Sequence, residues 1–132
     1  MRVIYGDTDQ MGMVYYGNYL RYFEIGRNEL LRRIGAPYRA FEEAHGLMLP
    51  VVEAKVHYRR PARYDDELSI CAAVPEVGGA SARFVYRIRR LPDGEELVSG
   101  HTVHACIDAR GKVARLPAPL RELLTKDPAR VL

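Results

Sequence analysis

The sequence predicts an α+β domain in which a curved antiparallel sheet wraps around one long central helix. Three observations carry this. One stretch, from about Asn18 to Ile34, places Tyr19, Tyr22, Phe23, Gly26, Leu30 and Ile34 at helical spacing. Most later apolar stretches alternate with period two, as strands do. Short turns rich in Gly, Pro and Asp join them, so neighbouring strands pair antiparallel, and a helix with one long apolar stripe forms only if that sheet buries it.

The elements follow in order. RVIYGD, Arg2 to Asp7, alternates Val3 and Tyr5 with Arg2, Ile4 and Gly6, and predicts a short strand. A loop carrying Asp7, Thr8 and Asp9 leads to the long helix, which starts directly after Gly17 with Asn18 available as its cap. Gly26 sits inside that helix at a cost of about 1 kcal/mol relative to alanine, which points to another backbone passing close by. Gly35-Ala36-Pro37 stops the helix, and Tyr38 to His45 predicts a short second one closed by Gly46. In LMLPVVEAKVHYRRP, Val52, Ala54, Val56 and Tyr58 alternate with Val51, Glu53, Lys55, His57 and Arg59, predicting a long strand with one buried face and, from Pro50, an edge or bulge.

A turn at Tyr64-Asp65-Asp66 then leads to ELSICAAV, with Leu68, Ile70, Ala72 and Val74 on one face. Gly78-Gly79 reverses the chain into ARFVYRIRR, where Phe84, Tyr86 and Ile88 oppose Arg83, Val85, Arg87 and Arg89. Pro92-Asp93-Gly94 makes the next hairpin, and ELVSGHTVHACID, apolar on both faces, predicts a central strand. Asp108 to Gly111 turns it into a short KVARL, and Pro117-Ala118-Pro119 precedes a last helical turn near Leu120 to Leu124. A single such layer leaves sheet edges unpaired, so two subunits are expected to join edge to edge as a homodimer, or as a dimer of dimers.

Composition narrows the function. At 132 residues, 48% hydrophobic and 28% charged, the chain is one domain spanning 1–132. A formal charge of +3 is too small to indicate nucleic acid but suits a substrate that carries phosphates. Cys71 and Cys106 each lie in an apolar run, as buried reduced thiols do. No signal peptide or membrane span is recognisable, and the cytoplasm is the expected location.

Asp7-Thr8-Asp9, Gly12, Val14-Tyr15-Tyr16, Asn18-Tyr19 and Glu24 together resemble the signature of hot-dog-fold acyl-CoA thioesterases of the 4-hydroxybenzoyl-CoA thioesterase type, a group that includes Tol-Pal-associated members. Tyr58 to Leu68, YRRPARYDDEL, is similar to that family's second landmark, so the resemblance covers nearly the whole chain. It implies that Asp9, the second aspartate of the D-x-D pattern, is catalytic, and that the backbone N–H of Tyr16 at the helix start holds the thioester oxygen. Gly12, Met13, Val14, Gly17, Asn18, Arg59 and Arg60 are the expected substrate contacts. One position departs: many Tol-Pal-associated relatives carry histidine where Tyr16 stands, whereas the 4-hydroxybenzoyl type carries tyrosine.

The chemistry fits those residues. Thioester hydrolysis expels a thiolate whose parent pKa is roughly 8.5, so the leaving group needs little acid assistance. A carboxylate that attacks the carbonyl or activates water is one requirement; the other is a donor aimed at the oxyanion, worth about 3 kcal/mol. Asp9 meets the first as nucleophile or general base, and the turn Tyr16-Gly17-Asn18 meets the second. Asp7 reads better as a turn or capping residue, and Glu24 as a pocket, seam or surface carboxylate. Arg59, Arg60 and Arg63 suit the phosphates of coenzyme A, or else form an ordinary basic strand end.

Other chemistries find less support. His101 and His104 are three apart and point to opposite faces of a strand, His45 and His57 lack partners at ligand spacing, and no metal site is expected. No G-x-S-x-G, phosphate-loop or dinucleotide fingerprint occurs. The expected substrate is a short-to-medium-chain or aromatic acyl-CoA, with no cofactor beyond the coenzyme A of the substrate itself. The alternative is a non-catalytic acyl-CoA-binding module of the same fold, which would not need Asp9.

Overall fold

The structure, a computed structural model, describes residues 1–126, so 127–132 of the expected domain lie outside it. Its long helix, α1, spans Asn18–Arg33, and a shorter α2 spans Tyr38–His45. Four strands follow, β1 Val51–Tyr58, β2 Glu67–Val77, β3 Ser81–Leu91 and β4 Glu95–Ala105, then α3 Ala118–Lys126. All pairings among these strands are antiparallel and the sheet order is β1-β4-β3-β2, which makes β4, with β3, an inner strand, as its two apolar faces predict.

The sheet packs on α1 through the stripe read from the sequence. Tyr22 and Phe23 have no exposed surface and Leu30 has 1%, while Phe84, Tyr86 and Ile88 of β3 meet them from the sheet. Phe23 stacks on Tyr86 with ring centroids 4.3 Å apart and planes 6° from parallel. Each such buried side chain is worth about 1.5–3 kcal/mol of transfer free energy. At Gly26 a Cβ would lie 2.6 Å from Ile70 Cγ2 and 3.7 Å from Ala72 Cβ, so the close approach comes from β2 side chains and not from a passing backbone. At the helix end the Ile34 N–H donates to Leu30, one residue short of the expected span, and Gly46 closes α2 in the left-handed region at φ 63°.

A buried polar chain crosses this core. Arg27 Nη1 donates to the Tyr86 hydroxyl at 3.1 Å, which lies 2.6 Å from Thr102 Oγ1. Thr102 Oγ1 is 2.8 Å from His104 Nε2, and His104 Nδ1 is 2.8 Å from the Leu49 carbonyl. Because a carbonyl only accepts, His104 carries its proton on Nδ1 and accepts a hydrogen bond from the Thr102 hydroxyl at Nε2. Burial and the nearby Arg27 push its pKa down to about 4, against the pull of the Leu49 carbonyl.

Two expectations need correction. RVIYGD is not a strand: Arg2 bridges to Glu67, the Val3 N–H donates to the Asp66 carbonyl at 2.9 Å, and Tyr5–Asp7 then coils into a 3-10 turn. That turn brings the Asp7 carboxylate under α1, which an extended chain would carry past it. β1, expected to bury one face, is exposed along its length except for half-buried Val56. Among the described residues it is an edge strand paired only with β4, and none of them forms a second layer over it.

Candidate active site

The segment Asp7 to Asn18 is a tight turn pinned between α1 and the chain after β1. Thr8 bridges to Val14, Met13 bridges to Arg63, and the Val14 N–H donates to the Ala62 carbonyl at 2.8 Å. Gly12 occupies the left-handed region at φ 78°, where glycine carries no steric penalty. Asp7 is the buried anchor: one carboxylate oxygen accepts from the Tyr22 hydroxyl at 2.7 Å and the other from Arg21, while its carbonyl accepts from the Tyr15 N–H and from Asn18 Nδ2. Burial and the Asp7 carboxylate hold the Tyr22 hydroxyl far above the usual tyrosine range, so Tyr22 stays a donor. The structural reading of Asp7 fits these contacts.

Asp9 is held differently. Its Oδ1 accepts from the N–H groups of Met11 at 2.9 Å and Met13 at 3.3 Å, and its own N–H donates to the Met13 carbonyl at 2.8 Å. Its second carboxylate oxygen has no hydrogen-bond partner among the described residues. One oxygen is fixed by the loop and the other is open.

Asn18 does not cap the helix. Gly17 is the N-cap, Asn18 is the first helical residue, and its side chain reaches back to Asp7. With no side-chain cap, the N–H groups of Tyr16 and Gly17 have no acceptor among the described residues. The Tyr16 carbonyl accepts from the Tyr58 hydroxyl at 3.0 Å and from the Tyr19 N–H at 3.4 Å.

A cleft of about 260 Å³ brings most of these groups together. Asp9, Met13, Val14, Tyr16, Arg59 and Arg60 line it. Gly12, Gly17 and Asn18 shape the turn behind the wall and do not line the cleft. Met11, which with Met13 makes the sequence around Asp9 apolar, lines it too, and Tyr19, Tyr58 and Pro61, which the sequence reading did not assign to the site, complete the lining. Tyr19 accepts the Ala62 N–H at 3.1 Å, and burial raises the pKa of both Tyr19 and Tyr58. The available signal was position: Tyr58 ends a strand immediately before Arg59-Arg60-Pro61.

Arg59 pairs with Glu96 at 3.0 Å and Arg60 with Glu95 at 3.2 Å, exposed arginines on half-buried glutamates at the rim. Such pairs are worth about 0–1 kcal/mol and yield readily to a competing anion. Arg63 lies apart from the lining and supports the loop through its bridge to Met13. Glu24 borders a separate cleft of about 390 Å³ with Arg27, Asn28 and His104. A larger hollow of about 710 Å³ on the outer sheet face, with Lys55, Arg83 and Arg87, includes neither Asp9 nor the helix start. His101 faces outward to Glu53 at 2.8 Å and His104 faces inward, on opposite faces as alternation requires.

Residues 3–124 match the Thioesterase-like superfamily. The chain is 35% identical over 120 residues to the acyl-CoA thioesterase YbgC of Haemophilus influenzae, covering 90% of this chain and 85% of that one. It is 30% identical over 122 residues to the 1,4-dihydroxy-2-naphthoyl-CoA hydrolase of Synechococcus elongatus, covering 91% and 88%. The crystal structure of DHNA-CoA thioesterase from Staphylococcus aureus superposes with a TM-score of 0.89 at 28% identity, over 96% of this chain and 86% of that one. With its antiparallel sheet packed on one long helix, this chain belongs to the Thioesterase-like superfamily as a hot-dog-fold acyl-CoA thioesterase.

Proposed function

We propose that this chain hydrolyses a short-to-medium-chain or aromatic acyl-CoA, with Asp9 as nucleophile or general base and the Tyr16 N–H as oxyanion donor. The observation that carries this reading is one cleft bordered by an Asp9 carboxylate with an open oxygen and by a helix start whose Tyr16 and Gly17 N–H groups are unpaired among the described residues. As nucleophile, Asp9 joins the acyl carbon in a mixed anhydride and expels the thiolate of coenzyme A; water then cleaves the anhydride. As base, it takes a proton from water that attacks the same carbon. In either route negative charge builds on the thioester oxygen, where a helix N-terminus stabilises it.

The lining supports the substrate class. Tyr16, Tyr19 and Tyr58 with Met11 and Met13 make an apolar, aromatic wall. The naphthoyl-CoA hydrolase named above acts on a ring of that kind. Arg59 and Arg60 at the rim suit the phosphates of coenzyme A, and no cofactor beyond the substrate is required. The open edge of β1 supports assembly as a homodimer or dimer of dimers, with the partner's strand facing this cleft. We assign the protein to the cytoplasm, in keeping with the absence, among the described residues, of any helix long and apolar enough to cross a membrane.

Thiol release from a panel of aliphatic and aromatic acyl-CoAs tests the proposal. Turnover of at least one panel member is expected. Tight acyl-CoA binding with no turnover across the panel favours the binding-module alternative.

A further inference from the structure

We infer that Tyr58 is a positioning residue for the oxyanion site: its hydroxyl fixes and polarises the Tyr16–Gly17 peptide from the strand side. The inference rests on the proposed roles of Asp9 and Tyr16. Its geometry is independent of them.

The Tyr58 hydroxyl donates to the Tyr16 carbonyl across 42 residues of sequence, at 3.0 Å. Among the described residues it is the hydrogen bond that joins β1 to the Asp7 to Asn18 turn. The Tyr58 ring is itself held, edge-on to Tyr19 at 5.5 Å and to Tyr16 at 6.5 Å. Tyr19 in turn takes the Ala62 N–H, so the hydroxyl projects from a ring cluster anchored on both sides. Burial, with Tyr16 adding to it, raises the Tyr58 pKa and keeps it a donor at neutral pH.

The consequence follows from amide electronics. A donor at the Tyr16 carbonyl draws charge toward that oxygen and makes the N–H of the same peptide, that of Gly17, a stronger donor. It also fixes the plane of that peptide, and with it the direction of the Gly17 N–H, the second unpaired donor at the helix start. The N–H groups of Tyr16 and Gly17 both lack an acceptor among the described residues. Without this bond the Tyr16 carbonyl keeps, among the described residues, only the long contact from the Tyr19 N–H at 3.4 Å, too weak to hold the turn in one geometry. Because Tyr58 ends β1, it also couples the oxyanion site to the strand whose free edge faces outward.

Tyr58→Phe keeps the ring contacts and removes only the hydroxyl, so the fold is expected to survive. The expected result on a turned-over acyl-CoA is a kcat lower by about tenfold, a barrier increase of about 1.4 kcal/mol, with KM within about twofold. The ¹⁵N resonance of the Gly17 amide should move upfield in the same variant, as it does when a preceding carbonyl loses a donor. The resonance reports the hydrogen bond itself, whereas a merely structural role would leave the split between kcat and KM unmoved. Unchanged kcat in folded Tyr58→Phe, or a raised KM at constant kcat, overturns the inference. An unmoved Gly17 resonance does so as well, and it can be read without turnover. Asp9→Asn, assayed in parallel, separates the two readings: full turnover there refutes the proposed chemistry, whereas loss there with wild-type kcat in Tyr58→Phe refutes only the role of Tyr58.

Discussion

Acid should destabilise this fold through His104, by an amount that the buried polar chain sets. His104 is 2% exposed, donates to the Leu49 carbonyl and accepts from Thr102, so a second proton has no place to go. Protonated Nε2 would need Thr102 Oγ1 as acceptor, which drives the Thr102 hydroxyl toward Tyr86, whose oxygen already accepts from Arg27. The folded pKa, pushed down to about 4, lies below the unfolded value of 6.5. Between those limits the unfolded chain binds a proton that the folded chain refuses, so stability rises with pH there. The contribution is fully present above 6.5 and is lost as pH falls toward 4. At about 1.4 kcal/mol per pH unit, roughly 2 kcal/mol should disappear between neutrality and pH 5.

The assay is urea unfolding of wild type and His104→Gln at both pH values. Glutamine lowers stability at neutrality by breaking the chain, but it does not titrate. The wild-type advantage should therefore shrink by roughly 2 kcal/mol at pH 5, equivalent to several degrees in Tm for a domain of this size. Comparing the two proteins cancels every pH effect that does not involve residue 104. An advantage independent of pH would mean that the fold binds the His104 proton as readily as the unfolded chain does, so that the polar chain does not exclude it.

Two further substitutions test the scaffold. Asp7→Asn places an amide N–H₂ opposite either the Tyr22 hydroxyl or Arg21; because Tyr22 is fully buried, about 2 kcal/mol should be lost in denaturant unfolding. A loss below about 0.5 kcal/mol would reduce Asp7 to an ordinary solvated turn residue. Gly26→Ala gains about 1 kcal/mol of helix propensity but meets Ile70 Cγ2 at 2.6 Å, a branched methyl fixed on a strand. Overpacking costs about 1–3 kcal/mol, so net destabilisation is expected, relieved in Gly26→Ala with Ile70→Ala relative to the sum of the single changes; additive effects would contradict the close packing.

Much of this fold was legible because burial writes itself as period. α1 shows its stripe over the whole helix, and β2 and β3 bury Leu68, Ile70, Phe84, Tyr86 and Ile88 on the faces their alternation gives. Gly46, Gly94 and Gly111 mark reversals, each with positive φ. The failures have physical causes too. RVIYGD alternates, yet the buried demand of Tyr22 for the Asp7 carboxylate coils it, a tertiary contact that no local window contains. β1 alternates as well, but it stands at the sheet edge with every residue except Val56 exposed, so its alternation marks no buried face within the described residues.

In the site, the proximity of Asp9 to the helix start was legible as contiguity in sequence. The cap was misread because asparagine beside a glycine satisfies the usual preference, whereas here Asn18 is spent on the Asp7 carbonyl. Tyr58 shows in the sequence only as a strand end beside Arg59 and Arg60; the register that brings the end of β1 to the turn gives its hydroxyl a partner.

The most direct test of the account is the turnover of Asp9→Asn on an acyl-CoA that the wild type hydrolyses, at matched folding and with binding measured separately. Asparagine keeps the size of the side chain and an oxygen for the Met11 and Met13 N–H groups, but removes the charge. Turnover should fall by at least about a hundredfold with acyl-CoA affinity retained. Turnover within about twofold of wild type would make Asp9 a turn residue and place the chemistry elsewhere.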